Sequence, residues 1–181
     1  IERPGIAPVF PSPAGHFVLL DAGANVDCKP IHLVHYAVMG DAFARHILQR
    51  PQPRIGLLSV GGEDSKGNDL TKGAFKLLEE IKDLNFVGNV EGHDLFSGKV
   101  DVVICDGFVG NAVLKCCESL AEAVGHILKE KLQKNPLRTL GYLLSRGAYR
   151  ELRSMTDYAE HGGAPLLGVN GVCIISHGAS S

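Results

Sequence analysis

The chain has 181 residues, 45% of them hydrophobic and 21% charged, which is typical of a folded globular protein rather than a disordered one. A net charge of −2, an aromatic content of 6% and the absence of Trp argue against a nucleic-acid binder. No apolar run reaches the ~18 residues of a membrane span. The five cysteines form no C-x-x-C pair, so we expect no zinc site, no disulfide framework and a reduced, intracellular compartment.

Strand and helix patterns alternate along the chain. Short apolar runs predict strands at 17–20, 54–60, 85–90, 100–105 and 171–176. Apolar residues at helical spacing predict helices from Pro30 to the Pro51 stop, at 70–82 and from Asn111 to about Lys134. The first helix is predicted from the spacing of Ile31, Val34, Val38, Ala42 and Ile47. This alternation predicts an α/β fold with a mainly parallel sheet and flanking helices.

Loops that combine glycine with polar side chains follow several of the predicted strands. They lie at 21–30, 61–69, 106–111 and 176–181. Ligands of parallel sheets bind beyond the carboxyl ends of the strands, where glycines let backbone N–H groups approach an anion. Each loop alone is most simply a tight turn. The four together, with Lys29 and Lys66 as positive charges, favour phosphate or oxyanion binding.

Two common nucleotide-binding motifs are not matched. Gly62 and Gly67 have the glycine spacing of a P-loop, but Asn68 and Asp69 replace its Lys and Ser/Thr. No G-x-G-x-x-G run occurs, so the dinucleotide-binding pattern is missing as well. The second of the four loops is therefore not interpreted as an NTPase motif.

The histidines and cysteines give no firm catalytic pattern. His32 and His35 are predicted to be a solvated or packed pair, because no carboxylate or cysteine completes a metal set. His161 and His177 lie in loops, where contact with an anion or a leaving group and an ordinary turn role are equally open. Cys105, Cys116 and Cys117 are interpreted as small hydrophobic residues. No Cys or Ser is placed beside a base, so no covalent intermediate is expected.

Residues 129–155 are strongly basic, with seven Lys or Arg against two Glu, and leucines interleave with the charges. A basic amphipathic stretch suits an anionic lipid surface or an acidic partner. A packed helical hairpin with a solvated basic face explains the same pattern equally well.

A series of longer motifs runs through the chain. They are Asp21-x-Gly-Ala-Asn-x-Asp-x-Lys-Pro30, His32-Leu33, Tyr36-Ala-x-Met-Gly40, Gly56-Leu-Leu58, Glu63-Asp-x-Lys-Gly-Asn-x-Leu-Thr-Lys72, Phe86-x-Gly-Asn-Val-Glu91, Asp101-Val-Val103, Asp106-Gly-Phe-x-Gly-Asn111, Leu114-Lys115, Gly162-Gly-Ala-Pro-Leu-Leu-Gly168 and His177-Gly178. With these motifs, in this order, the chain strongly resembles the PlsX family of acyl-ACP:phosphate acyltransferases of bacterial phospholipid synthesis.

The resemblance implies an α/β fold like that of phosphate acetyltransferases and isocitrate dehydrogenases, and a homodimer. Inorganic phosphate would attack the thioester of a fatty acyl chain on acyl carrier protein, with no cofactor. The reaction needs a phosphate cradle, donors for the oxyanion and an apolar slot. The region at 129–155 matches a family region linked to membrane association and dimer contacts, and acyl carrier protein, being acidic, also suits a basic surface. We therefore expect a cytoplasmic protein bound peripherally to the inner face of the membrane.

Carried over residue by residue, the resemblance assigns roles within the loops and the basic segment. The residues assigned to catalysis are Lys66, Asn68 and His177. Those assigned to substrate binding are Asn25, Asp27, Lys29, Asp106, Gly107, Gly110, Asn111, Gly162 and Gly163. Those assigned to membrane or acyl-carrier contact are Arg138, Arg146, Arg150 and Arg153. Gly110 and Asn111 are expected to offer N–H groups at a helix start, and no metal ligand is expected.

The chain departs from the family pattern at both ends. The family's N-terminal Asp-Ala-Met-Gly-Gly-Asp motif, its Ser-Ala-Gly-Asn-Thr-Gly loop and its final helix are not in this sequence. We expect residues 1–181 to be the central and C-terminal part of one domain, with a basic helical insertion at about 129–155. The 181 residues alone are expected to be inactive. Alternative functions are a phosphate acetyl- or butyryltransferase that uses acyl-CoA, and a non-catalytic module that binds a lipid surface or a partner.

Overall fold

A computed structural model describes residues 2–147, 149 and 163–176 of the chain. The strands are β1 (Gly5–Ile6), β2 (Val9–Ser12), β3 (Gly15–Leu20), β4 (Ile55–Leu58), β5 (Phe86–Val90), β6 (Val102–Ile104), β7 (Ala164–Leu167) and β8 (Ile174–Ile175). The helices are α1 (Pro30–His46), α2 (Asp69–Glu79), α3 (Gly107–Gln133) and α4 (Pro136–Leu144), with a 3₁₀ turn at Gly92–Asp94.

A five-stranded sheet in the order β2-β3-β6-β4-β5 forms the centre of the fold. β3, β6, β4 and β5 run parallel, whereas β2 pairs with β3 as an antiparallel edge strand. Leu20, Ile104 and Leu57 stand in register across the three inner strands. The predicted α/β class with a mainly parallel sheet is therefore confirmed, and the chain leaves these three strands at one edge of the sheet.

Both faces of the central strands are buried, which explains their uninterrupted apolar runs. Val18 and Leu20 of β3 face α1 and α2 in one hydrophobic cluster. Phe17 and Leu19 belong to a second cluster on the opposite face, which Leu114 of α3 helps to cover. Alternate residues of one strand thus contribute to two separate layers of the core.

Helix α1 packs through a face that differs from the predicted apolar spacing. Ile31, Val38 and Ile47 are exposed, and α1 ends at His46, before Pro51. The helix instead buries a stripe with one residue per turn, formed by Leu33, Ala37, Gly40 and Ala44. Small residues are needed because a Cβ at Gly40 would lie 2.5 Å from Val102 Cγ1. The buried side of α1 thus combines large side chains such as Tyr36 with small residues where the helix approaches the sheet closely.

Other boundaries also differ from the sequence-based expectation. α3 begins at Gly107 rather than Asn111, because Asp106 caps it. The glycine-bounded motif at 162–168 contains β7, and the strand expected at 171–176 is reduced to the exposed pair Ile174–Ile175. β1, β7 and β8 form a small antiparallel sheet of their own. It joins the main sheet through Ile6, whose carbonyl accepts the N–H of Ala22 at 3.0 Å.

The end of α3 and all of α4 form a helical hairpin that extends away from the sheet. α4 has no buried residue, and the buried residues of α3 stop at Leu114. Exposed apolar side chains include Leu137 and Leu144, at 76% and 81% exposure. Within the described ranges, none of the helices is both long and apolar enough to cross a bilayer.

Candidate active site

Three of the four predicted loops leave the sheet at its carboxyl edge, after β3, β4 and β6. We call them the first loop (21–30), the second loop (61–69) and the third loop (106–111), although residues 107–111 of the third loop form the start of α3. Because β6 lies between β3 and β4, the third loop stands between the other two. The fourth loop, 176–181, lies almost wholly outside the described residues.

The first loop is organised by Asp21, which the sequence analysis did not place in the site. Its carboxylate is fully buried. Oδ1 accepts the N–H groups of Ile6, Gly23 and Ala24 at 2.9–3.2 Å, and Oδ2 accepts that of Asn25 at 2.7 Å. A carboxylate with several backbone donors is fixed in place. The available signal was an acidic residue directly after a buried strand and before Gly-Ala-Asn.

Asn25 completes this organisation from within the core. Its side-chain Nδ2 donates to Pro4 O at 2.6 Å and to Asp21 Oδ2 at 3.3 Å, while Oδ1 accepts from Arg3 at 3.4 Å. Its carbonyl accepts the N–H of Gly107 at 2.8 Å, which joins the first loop to the third. The side chain predicted to bind substrate therefore orders the first loop, and its backbone carbonyl joins that loop to the third.

Asp27 and Lys29 differ from Asn25 because both are exposed. Lys29 precedes α1 and gives its backbone N–H to His32 Nδ1 at 3.1 Å. His32 in turn donates its own N–H to Lys29 O at 2.9 Å. The backbone at Lys29 is thus fixed while its side chain stays at the surface.

The third loop brings no free N–H groups at Gly107 or Gly110. Asp106 Oδ1 caps α3 by accepting the N–H groups of Phe108 and Val109, both at 3.0 Å. Gly107 donates to Asn25 O and Gly110 to Asp106 O. The expected N–H donor at Gly110 is therefore engaged inside the helix. Both glycines instead allow close packing, since a Cβ at Gly110 would overlap Asp21 O.

Asn111 lies where the first and third loops meet. It is exposed, and its Oδ1 would be 3.5 Å from a Cβ built at Gly23, which adopts φ +130°. Gly23 can hold this left-handed backbone without strain. An exposed amide is therefore held over the glycine turn of the first loop, close to where the sheet ends.

The second loop presents Lys66 at the surface. Its backbone N–H donates to Glu63 O at 3.0 Å, and its side chain folds over Gly61, where a Cβ would lie 2.9 Å from Lys66 Cγ. Asn68 begins α2 and accepts the N–H of Thr71 at Oδ1, at 2.9 Å. A capping role thus already accounts for Asn68 Oδ1.

The thiols near these loops are not poised as nucleophiles. Burial raises the pKa of Cys28, against a hydrogen bond with Tyr36 that lowers it. Burial also raises the pKa of Cys105, which is 2% exposed. A thiol with a raised pKa is protonated at neutral pH and reacts poorly. The prediction of a small hydrophobic role is confirmed for Cys105, whereas Cys116 is exposed and does not pack as one.

The remaining predicted residues lie elsewhere or outside the described residues. Gly163 directly precedes β7. The other end of β7, at Leu167, is the end that pairs with Gly5 beside the first loop. Arg138 and Arg146 are exposed, on α4 and just beyond it. Gly162, His177, Arg150 and Arg153 are not among the described residues. In the described part of the chain, no group of three or more His, Cys, Asp or Glu residues could hold a metal ion.

Comparison with known proteins identifies the family. The profile of a family described as fatty acid synthesis protein matches residues 1–181. The chain is 55% identical over 181 residues to a phosphate acyltransferase of Geobacter sulfurreducens and 56% identical to one of Thermodesulfovibrio yellowstonii, covering 100% of this chain and 52% of each relative. A phosphate acyltransferase of Citrifermentans bemidjiense is 55% identical, with 51% covered. The chain spans about half the length of these relatives, and it belongs to the fatty acid synthesis protein family.

Proposed function

We propose that the protein transfers an acyl group from a thioester to inorganic phosphate, giving an acyl phosphate and a free thiol. The observation that carries this proposal is the 55% identity to phosphate acyltransferases over all 181 residues, which includes all three strand-end loops. The convergence of these loops at one sheet edge supports it, because ligands of parallel sheets bind there.

The chemistry sets clear requirements for the site. An oxygen of hydrogen phosphate forms a bond to the thioester carbonyl carbon, and the C–S bond then breaks. The thiolate leaves with the bonding electron pair and receives the proton that phosphate loses. Binding two reactants side by side and stabilising the oxyanion lower the barrier most. The site therefore needs a cation for phosphate and donors for the thioester oxygen.

Lys66 and Asn111 suit these two tasks. The Lys66 ammonium is a compact charge with three donors, which suits phosphate. The exposed Asn111 amide lies on the third loop, between the other two, and can donate to an oxyanion. We assign Asp21, Asn25 and Asp106 to holding the loops, because their polar atoms are already hydrogen-bonded there.

The test is phosphate-dependent formation of acyl phosphate by the full-length protein, trapped as a hydroxamate with hydroxylamine. We expect Lys66→Ala to lower kcat/KM for phosphate at least tenfold without changing Tm, because the residue is exposed. Lys82→Ala removes an equally exposed lysine outside the loops and should leave turnover unchanged. Normal turnover in Lys66→Ala would remove this residue from the mechanism.

We propose acyl carrier protein as the acyl donor. Its acidic surface is complementary to the basic segment at 129–155, and charge complementarity speeds the encounter of two proteins. The same hydroxamate assay run with matched acyl carrier protein and coenzyme A thioesters distinguishes the donors. Equal or higher kcat/KM with the coenzyme A thioester would favour a phosphate acetyl- or butyryltransferase instead.

We also propose that the helical hairpin carries the homodimer contacts and binds an anionic membrane surface, which would place the protein at the inner face of the membrane. Exposed leucines beside Arg138 and Arg146 support this assignment. Flotation with anionic vesicles should fall when Arg146, Arg150 and Arg153 are changed to Gln, and should survive Lys66→Ala. If the wild type floats equally well with zwitterionic vesicles, or if the Gln variant floats as well as the wild type, the hairpin does not bind the membrane through its charge.

A further inference from the structure

The strand β5 contains an irregularity that turns one side chain towards the second loop. Ile55 pairs with Phe86 and Leu57 with Asn89, so two steps along β4 correspond to three along β5. The extra residue lies at Val87–Gly88, and Gly88 has φ +91°, which favours glycine. A bulge of this kind changes the direction of the following side chain and is rare in parallel pairs. Asn89 is that side chain.

Asn89 contacts the backbone of the second loop at the turn that presents Lys66. Its Nδ2 donates to Glu63 O at 2.8 Å. The same carbonyl accepts the backbone N–H of Lys66 at 3.0 Å. Glu63 O thus accepts two hydrogen bonds, one from the side chain of Asn89 and one from the backbone N–H of Lys66. A shift of the Glu63 carbonyl therefore shifts Lys66 with it.

The other side of this turn rests on the neighbouring strand β4. Gly67 has φ +104°, and a Cβ there would lie 3.0 Å from Ser59 Oγ, just beyond β4. Ser59 is itself held by its N–H, which donates to Val90 O at 2.9 Å. The backbone from Glu63 to Gly67 is therefore hydrogen-bonded to β5 through Glu63 O and lies close to the end of β4 at Gly67.

We propose that Asn89 is a positioning residue of the active site, which acts through Glu63 O to fix the place of the Lys66 ammonium. The proposal rests on the proposed function, in which Lys66 binds phosphate. Stability alone does not account for an amide at this position. Asn is depleted in strands, and Asn89 Oδ1 is buried without a hydrogen-bond partner among the described residues. An apolar residue would avoid that cost.

The same strand offers a matched control. Asn85, just before β5, also donates its side-chain Nδ2 to a backbone carbonyl, that of Gln52 at 3.3 Å. This contact lies at the opposite edge of the sheet from the three loops, because Asn85 precedes the strand and Asn89 is near its end. Asn85→Ala and Asn85→Asp therefore remove the same type of hydrogen bond without touching the second loop.

The experiment measures kcat and KM for phosphate, together with Tm, in the full-length protein. We expect Asn89→Ala and Asn89→Asp to lower kcat/KM for phosphate by roughly 10- to 100-fold, the size of effect that a small misplacement of a binding group produces. Both Asn85 variants should keep the wild-type value. Asn89→Asp keeps the shape but replaces the donor with a charged acceptor, whereas Asn89→Ala removes the donor without adding charge. Loss of activity in both variants at unchanged Tm points to the hydrogen bond to Glu63 O.

A double-mutant cycle with Lys66→Ala separates positioning from general damage. If Asn89 acts through Lys66, Asn89→Ala should lower kcat/KM much less in the Lys66→Ala protein than in the wild type. Equal losses in both backgrounds, or normal activity of Asn89→Ala where Lys66→Ala is impaired, would overturn this inference alone. A wild-type protein that forms no acyl phosphate would overturn the proposed function and the inference with it.

Discussion

At the scale of single residues, packing of backbone against backbone decides what the loops can be. Asp21 O and Asn25 O both face glycines of the third loop, and neither oxygen can move without breaking the bonds of the Asp21 carboxylate. A side chain in the place of Gly107 or Gly110 has no space to occupy. Gly107 and Gly110 were expected to bind substrate. The structure shows that glycine is needed at both positions for the first and third loops to pack together.

Gly110→Ala should therefore destabilise the protein by about 1–3 kcal/mol or more, the usual cost of overpacking. Gly125→Ala is the matched control on the same helix, because a Cβ there meets nothing within 4 Å. That change should stabilise the protein by ~0.5–1 kcal/mol, the helix propensity difference between Gly and Ala. Urea denaturation of both variants measures the contrast, and equal free energies of unfolding would refute it.

His32 makes stability depend on pH. It is 4% exposed, and burial first, then the nearby Arg3 charge, lowers its pKa below the usual value. In the unfolded chain the pKa of this histidine is ~6.5. As the pH falls below this value, the unfolded chain therefore binds more protons than the folded protein. The contribution of neutral His32 is thus complete above ~6.5 and is lost as pH falls through the lower folded pKa.

The variant His32→Gln should flatten the decline in Tm below pH ~6.5 that this linkage produces. His46→Gln changes an exposed histidine on the same helix and should keep the wild-type slope. Thermal unfolding between pH 5 and 8 provides the measurement. Parallel Tm profiles for His32→Gln and the wild type would show that His32 does not contribute.

At the scale of elements, three of the four α-helices in the described residues begin with a polar side-chain cap, and α1 is the exception. Asn68, Asp106 and Asn135 accept backbone N–H groups at the starts of α2, α3 and α4. A cap fixes where the helix begins and so fixes where the preceding loop ends. Asn68 and Asp106 were predicted to contact substrate, but one side-chain oxygen of each is already used to cap a helix.

Substitutions at Asn68 can separate capping from catalysis. Asn68→Asp keeps an oxygen at the cap and should keep Tm, whereas Asn68→Ala should cost about 0.5–2 kcal/mol. If Asn68 also contacts substrate through its amide nitrogen, Asn68→Asp should lose turnover at unchanged stability. Full activity of Asn68→Asp would leave capping as its role. Thermal unfolding and the hydroxamate assay are run on the same preparations.

At the scale of the whole molecule, the hairpin of α3 and α4 contributes little to the main core. Its apolar side chains are solvent-exposed along most of its length, including Val124 and Ile127 on α3. Apolar surface of this extent marks an interaction site more often than a free surface. The proposed homodimer would bury part of it.

Leu144→Ser should weaken this association, because the side chain is 81% exposed on the hairpin. Val172→Ser is the matched control, since Val172 is 95% exposed but lies between β7 and β8. Sedimentation equilibrium of the full-length protein should give a dimer for the wild type and the control, and a raised dissociation constant for Leu144→Ser. A wild-type monomer would refute the dimer.

The parallel sheet and its order of helices were predictable because buried strands such as 100–105 have a clear apolar pattern. The glycine loops were predictable as a group because they directly follow such strands. The buried face of α1 was not, because Gly40 and Ala44 pack by being small. The bulge at Gly88 depends on pairing with a neighbouring strand, which residue patterns do not encode. The cap at Asn68 was predictable, because Asn is preferred directly before a helix, but the resemblance assigned this residue to catalysis.

The central place of β6 has a consequence for the order in which the protein can form during synthesis. β3 and β4 each pair with β6 and not with each other. A nascent chain that has emerged only as far as β5 can form the β2–β3 hairpin and the β4–β5 pair, but these two units have no strand to join them. The edge of the sheet that carries the three loops therefore assembles only after residue 104 leaves the ribosome. Until then, two half-sheets expose their inner backbone edges to chaperones.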